Sequence, residues 1–582
     1  MSERNPTCIG RVRHVLGSTV TVALDPDLAG VAPIWRGRLV PVGQVGSLVR
    51  FPQGPVSLIG SVVLVGIAEL AAPLPPSQAP QQGDRWLQVQ LLGEIDGLNE
   101  FQRGISSYPG LDDPVHFTTS EDLTAIYPPP DSERVALGGL SAAPDVSVAL
   151  DAARLVSRHC AIVGSTGSGK TSAVASLLQS FIRGGWASAN IVLVDPHGEY
   201  ATSLGDTACT RSVRGQGDNA LRVPFWALPA ADLLFTLTGL DGKTVTDRFA
   251  ELVTAERRAF AAAADWLEDE PDLINSDTPI PFDLRRVWHQ LDYANRATVT
   301  QKVGGIECLE EAGDPQTLTP AVFEPYGPTA GEPVQGPTYH YYSPAPERLR
   351  LRLADPQYAF FLAPPDPTEP DPLVPMISAW LGDQLPVSVL DFSGVPSTVA
   401  DVAIGVVLQL LFEIATRGDG DGIGRARPVL VVLEEAHRYL GPTNSVRLAQ
   451  TAANRIAREG RKYGVGLMLV TQRPSELPDT ALAQCGTTIA LRLTNGTDQA
   501  TVRAALPDAV SGLANVLPSL RTGEALISGE AVVLPTRTLI RRPDPEPHAG
   551  DPSLDGWRIQ PATGNDLTTV VTRWRGQDEG TP

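Results

Sequence analysis

Short segments that alternate apolar and polar residues, separated by Gly and Pro, open the chain: Ile9–Val12, Thr19–Val22, Ser47–Arg50 and Leu58–Val63. A period of two with such turn residues between the runs predicts the strands of a small β-barrel. Residues 71–83, rich in Pro and Gln, read as a loop, and Trp86–Leu92 reads as one more strand. The barrel is predicted to end near Tyr127, ahead of Pro128-Pro129-Pro130, which gives an N-terminal domain over residues 1–130.

From about Asp131 the pattern changes to short apolar runs alternating with segments of helical period, as in a parallel α/β sheet. The predicted strands are Cys160–Val163, Ile191–Asp195, Val387–Asp391, Val429–Leu433, Leu467–Thr471 and Thr488–Leu493. A long interval, about residues 224–386, separates the second from the third. Within it Thr244–Leu267 is Ala-rich with a helical apolar period, Asp283–Gln290 reads as helix, and 320–346 is too rich in Pro and Gly for regular structure. We read the interval as a mainly helical insertion on an α/β core spanning 131–545, followed by a C-terminal extension over 546–582.

Composition narrows the function. The chain has 582 residues, enough for three units or one large domain with an insertion. With 46 Lys and Arg against 66 Asp and Glu, the formal charge of −20 argues against a protein that coats nucleic acid with its whole surface, though not against a local basic channel. Five scattered cysteines support neither a disulfide framework nor a zinc site. A polar start and no run of about eighteen apolar residues predict a soluble, cytoplasmic protein without a membrane partner.

The chemistry centres on Gly164-Ser165-Thr166-Gly167-Ser168-Gly169-Lys170-Thr171, preceded by the apolar run Ala161-Ile162-Val163 and followed by a helical segment from Thr171 to Arg183. Between a strand and a helix this pattern is a phosphate-cradling P-loop rather than an ordinary Gly-rich turn: its backbone N–H groups form an anion nest at a helix N-terminus. Lys170 is expected to reach the β and γ phosphates of ATP, and the Thr171 hydroxyl to hold Mg²⁺.

Far downstream, Val429–Leu433 ends in Glu434-Glu435-Ala436-His437. Carboxylates at the C-terminal end of a buried strand stand where ligands gather in open α/β sheets. Glu434 takes the position of a metal-orienting acid and Glu435 that of the group polarising the attacking water, unless both are an acidic helix start. A third element, Thr471-Gln472-Arg473-Pro474, offers Gln472 as a γ-phosphate sensor or as a plain loop residue. Between them, residues 454–464 carry Arg455, Arg458, Arg461 and Lys462. Such a run is solvated helical charge or a source of catalytic charge, and Arg461 reads as an arginine supplied to a neighbouring subunit, a contribution of roughly 10³ to 10⁵ in rate. Lys462 and Arg455 are alternatives for DNA backbone contacts.

These segments, with Ser157-Arg158-His159 before the P-loop strand, Asp195-Pro196-His197-Gly198-Glu199-Tyr200 and Glu459-Gly460-Arg461-Lys462-Tyr463-Gly464, resemble HerA, a branch of the HerA/FtsK superfamily of hexameric DNA-pumping ATPases. The resemblance runs over about residues 130–545 in the family's motif order. It implies a RecA-like P-loop NTPase core under an N-terminal barrel of the HerA–ATP synthase type, a homo-hexamer with ATP between subunits, double-stranded DNA through the central channel, and a nuclease docked on the barrels. Carried over, Asp195 lies at the acidic strand end near the metal, Glu435 is catalytic, Gln472 is the sensor, and Arg461 and Arg158 contact phosphates of the same or an adjacent subunit. The tail Arg541–Pro545 resembles an extension that lies across a neighbour. Glu434 departs from the aspartate many P-loop ATPases carry there.

Ile34–Arg38, Val45–Gly54 and Arg103–Pro109 are similar to HerA-like subunits of antiphage systems, which implies an effector partner (Sir2-like, phospholipase-D-like or Cap4-type); the rival is a DNA end-resection HerA acting with a NurA-like nuclease. Two classes of function stand open, a DNA translocase and an ATP-gated scaffold ring.

Overall fold

The computed structural model describes residues 6–26, 28, 34–35, 38–40, 42–67, 85–267, 271–363, 366, 368–418, 422–441, 447–506, 513–548, 557–558 and 565–575. The loop expected over 71–83 and the Arg36-Gly37 pair lie outside the described residues.

The alternating segments at the start form a closed antiparallel barrel. Its strands run in the order Thr19–Leu24, Cys8–Leu16, Pro114–Phe117, Leu48–Gln53, Val56–Ile67 and Arg85–Ile95, and the first pairs with the last to close the circle. Inward positions Val12, Val20, Val22, Val49, Phe51, Leu58, Val62, Leu87, Val89 and Val115 are fully buried, which is why a strict period of two was visible. The helix Ser120–Ile126 follows, opened by a capping box in which Thr119 and Asp122 satisfy one another's backbone N–H groups. Arg50 of the barrel donates to Asp122 Oδ1 at 2.8 Å, so barrel and helix are held by the same carboxylate.

The remaining strands build an eleven-stranded mixed sheet. Seven are parallel, in the order Thr487–Ala490, Cys160–Val163, Val465–Thr471, Val429–Leu433, Asn190–Asp195, Val387–Asp391 and Cys209–Ser212. Four antiparallel strands extend the Thr487 edge: Glu524–Gly529, Thr536–Ile540, Arg134–Leu140 and Ala143–Asp151. The central parallel strands are buried on both faces, the condition for a continuous apolar run. One predicted strand is shortened: Thr488–Leu493 stops at Ala490, because Leu491 N donates to Val163 O and Arg492 O accepts from Ser165 N, so these residues bond to the P-loop and the end of its strand rather than to a ladder.

Helices Lys170–Arg183, Lys243–Ala263, Leu284–Arg296 and Arg447–Tyr463 occupy the segments of helical period. Between 224 and 386 the chain adds Ala230–Thr238, Ala345–Ala354 and Leu373–Trp380, packed around buried Trp226, Trp288 and Trp380. Arg257 is also fully buried there; its guanidinium donates to Trp226 O and Leu228 O at 2.7 and 2.8 Å.

Ser397–Arg417 contains an eighteen-residue window of mean hydropathy 1.9, long and apolar enough by composition to cross a membrane. That window is 72% buried within the protein, and the helix packs against Arg447–Tyr463 so closely that a Cβ on Gly405 would stand 2.8 Å from Ala449 N. It is a core helix.

Gly466 is the second residue of Val465–Thr471, one of the two strands flanking the P-loop strand, and a Cβ there would meet Val156 O at 1.8 Å. Gly466→Val is expected to cost about 2–3 kcal/mol through overpacking, lowering the thermal unfolding midpoint by roughly 5 °C or more; differential scanning fluorimetry measures it.

Candidate nucleotide site

The P-loop leaves the strand Cys160–Val163 at its C-terminal end and enters the helix at Lys170. Gly167 and Gly169 take φ of +71° and +98°, the left-handed conformation that lets consecutive N–H groups turn inward. Gly169 also lies against a second loop, where a Cβ would stand 3.2 Å from Gly523 N, and Gly523 N donates to Ser168 O at 3.0 Å. Lys170 Nζ donates to Ser165 O at 3.3 Å, so the lysine curls over its own loop. Burial pulls the Lys170 ammonium below its ordinary value, against the pull of Glu435, Glu434 and Glu199.

Parallel register brings the other elements to the same edge. Val163 pairs with Thr471, Leu433 with Leu469, and Val194 with Leu433, so Gly164, Gln472, Glu434 and Asp195 follow within a residue or two of level. Thr166 Oγ1 donates to Gln472 Oε1 at 2.7 Å, tying the P-loop to the sensor position. A cavity of about 510 Å³ opens there, lined by Ser165, Thr166, Gln472, Arg473, Asn495 and Asp498 among others.

The acids differ in their surroundings. Glu434 is buried, and the Tyr200 hydroxyl donates to its Oε1. Burial raises the Glu434 carboxyl to about 8, with Asp195, Glu435 and Glu199 adding to the rise and the Tyr200 bond opposing it. Glu435 sits at φ +50°, uncommon for a residue with a side chain, at the turn where Ala436 N donates to Val470 O. Its Oε2 is buried without a hydrogen-bond donor and lies 3.2 Å from His437 Nδ1, which itself is 3.1 Å from Thr471 Oγ1.

Asp195, expected near the metal, turns into its own loop. Its Oδ1 accepts from His197 N and Gly198 N at 3.1 and 2.8 Å, and its Oδ2 from Tyr200 N at 3.2 Å. Burial raises its pKa to about 6 against these three bonds. The carboxylate that reaches the P-loop is Glu199, whose Oε2 accepts from Thr171 Oγ1 at 3.0 Å. Glu199 and Tyr200 belong to the Asp195–Tyr200 motif, but the sequence alone assigns neither a role. The usable signal was Gly198, which stands at φ +74° and throws the next side chain back toward the helix.

Arg158 and Arg461 lie elsewhere. Each precedes its strand, so each stands at the N-terminal edge of the parallel sheet, and the Cys160–Val163 strand alone puts about 13 Å between Arg158 and the P-loop. Contact with phosphate in the same subunit is therefore corrected by topology. Arg158 pairs with Glu530 at 3.4 Å, while Arg461 is exposed and has no ion pair among the described residues. Arg455 is taken up by Glu413 at 2.6 Å and lies over the Phe412 ring. In the tail, Arg541–His548 runs over its own subunit's P-loop helix, with Gln179 Nε2 donating to Pro545 O and Arg183 Nη2 to Asp544 O.

The donor set fits a nucleotide with Mg²⁺. Every side-chain ligand candidate around Thr171 is oxygen, Ser168 Oγ is buried without a partner, and among the described residues no cluster of His, Cys, Asp or Glu holds a metal alone. That is the arrangement of an ion that takes most of its ligands from phosphate and water.

A P-loop between buried strand and helix, a Glu-Glu strand end and a bonded Gln at the next strand end define a P-loop ATPase with a RecA-like core. The chain matches the model of the helicase HerA central domain over residues 135–411 and that of the helicase HerA-like C-terminal region over residues 384–543. It is 26% identical over 494 residues to the DNA double-strand break repair helicase HerA of Pyrococcus furiosus, covering 77% of this chain and 76% of that protein. To the protein of the same name from Sulfolobus acidocaldarius it is 40% identical over 132 residues, 22% of this chain and 26% of the other. The solved structure of VirB4 of Thermoanaerobacter pseudethanolicus is similar over 71% of this chain and 97% of its own, with a TM-score of 0.44 at 15% identity. The chain belongs to the HerA-like ATPases of the HerA/FtsK superfamily.

Tyr200→Phe removes the one hydroxyl that donates to buried Glu434. Leaving that acceptor unpaired is expected to cost about 1–3 kcal/mol, read as a lower thermal midpoint of the nucleotide-free protein, whereas an unchanged midpoint would show the bond to be dispensable.

Proposed function

We propose that this chain forms a homo-hexameric ring that hydrolyses ATP to translocate or unwind double-stranded DNA, and that it feeds or activates a nuclease docked on the N-terminal barrels. The observation that carries the reading is the meeting of P-loop, Glu434-Glu435 and Gln472 at one sheet edge, with Thr166 bonded to Gln472. The edge opposite, with Arg461 exposed, supports a ring, since a cation there serves only an adjoining subunit's nucleotide.

In this reading the N–H groups of Gly164–Thr171 and the Lys170 ammonium bind the phosphates. Thr171, with Glu434 nearby, holds Mg²⁺, which when bound neutralises charge on the phosphate oxygens. Glu435, with its buried and unbonded Oε2, orients the water and takes its proton. Gln472 registers the γ-phosphate and passes its loss to Thr166 and the strand end. Arg461, and Arg158 once freed from Glu530, stabilise the transferring group from across the boundary. DNA is held by few phosphate contacts per subunit, consistent with the charge of −20, and the partner nuclease supplies further contacts.

Docking on the barrel is supported by Leu98 and Leu111, both exposed on loops of the barrel domain. The names of the relatives, double-strand break repair helicases, favour a repair role such as end resection with a nuclease over the antiphage role, which rests on the N-terminal segments; the reading frame next to the gene separates the two.

Lys170→Ala is expected to abolish nucleotide binding, and Glu435→Gln to bind ATP while turnover falls by roughly 10² or more. Mixing inactive Lys170→Ala and Arg461→Ala subunits is expected to restore part of the ATPase activity, because some boundaries then pair an intact P-loop with an intact arginine. Full turnover by Arg461→Ala alone would remove it from the mechanism.

A further inference from the structure

Glu199 has no part in the scheme above, yet among the described residues it makes the one side-chain bond to the hydroxyl on which that scheme hangs the metal. A threonine hydroxyl carries one proton and two lone pairs. To present a lone pair to a hard cation, Thr171 must send its proton elsewhere, and Glu199 Oε2 receives it at 3.0 Å. Two of the other acids have their own donors: Glu434 Oε1 takes the Tyr200 hydroxyl and Asp195 takes three backbone N–H groups. Those three bonds fix the turn 196–200, and Gly198 closes it at φ +74°, where a Cβ would crowd Ser393 Oγ at 2.9 Å.

The strap 541–548 grips the same turn. His548 N donates to Glu199 O at 2.9 Å. A few residues earlier Asp544 N donates to Gln179 Oε1 and Gln179 Nε2 to Pro545 O, both at 2.9 Å, and Gln179 also donates to Ser203 O. Gln179 stands on the helix that begins at Lys170 and carries Thr171. The strap thus brackets donor and acceptor: one end on the helix of Thr171, the other on the backbone of Glu199.

Resting on the nucleotide reading above, we infer that Glu199 is a positioning residue that orients the Thr171 hydroxyl for Mg²⁺, and that the strap keeps it within reach. An outer partner of this kind changes metal affinity by roughly 10- to 100-fold. The bond needs an acceptor rather than a charge, so glutamine in its place retains much of the effect.

The test follows fluorescent N-methylanthraniloyl-ADP binding to the full-length protein, titrated with MgCl₂ and repeated in EDTA. Glu199→Ala is expected to raise the Mg²⁺ concentration for half-maximal response about tenfold, while binding in EDTA stays within about twofold of wild type. Glu199→Gln is expected to fall between the two. His548→Pro, which deletes the N–H that holds Glu199 O, is expected to shift the Mg²⁺ midpoint in the same direction by less. An unmoved midpoint in Glu199→Ala, or equal loss of binding in EDTA, overturns the assignment. Glu199→Gln as poor as Glu199→Ala overturns it in favour of a direct carboxylate ligand, and His548→Pro behaving as wild type removes the strap. If wild type itself binds no nucleotide while Lys170→Ala behaves identically, the nucleotide reading has failed instead.

Discussion

Parallel register among buried strands is the constraint on which the site depends. Cys160–Val163 lies between Val465–Thr471 and Thr487–Ala490, all buried, and their ladders leave no freedom to slide: a slip of one residue would send every inward side chain to the other face. Because the strands are parallel, their C-terminal ends arrive together. The P-loop, the acids and the glutamine come from segments some 300 residues apart in the chain, and the register alone makes them neighbours.

That convergence concentrates charge. Asp195, Glu199, Glu434 and Glu435 crowd one end of the sheet with Lys170 as the opposing cation, and burial makes the ionised carboxylates of Asp195 and Glu434 costly. The fold answers each differently: backbone N–H groups for Asp195, the threonine hydroxyl for Glu199, the tyrosine hydroxyl for Glu434. Glu435 alone keeps a buried oxygen without a donor and sits in strained backbone, the usual price of a group held ready for chemistry.

The two edges of the parallel sheet divide the work. One gathers phosphate-binding groups; the other carries Arg158 and Arg461, separated from their own P-loop by the length of the strands. Arg541–His548 braces the helix behind the P-loop, while Gly523 braces the loop from the front.

Much was legible from the chain by itself because it depends on local pattern. The barrel strands show a period of two because one face is dry, the central strands read as apolar runs because both faces are, and the P-loop is a contiguous eight-residue signature. Thr536–Ile540 and Cys209–Ser212 escaped notice, being short, partly polar, and strands only because neighbours pair with them. Ser397–Arg417 was missed because an all-round apolar helix has no amphipathic period to read. The partners of the acids were illegible for a different reason: whether Asp195 or Glu199 faces Thr171 is settled by three backbone bonds and a left-handed glycine. Residue types and their order determined which chemistry this protein carries; which oxygen meets which hydroxyl, and which arginine lies beyond reach of its own phosphate site, was decided only when distant strands locked in register.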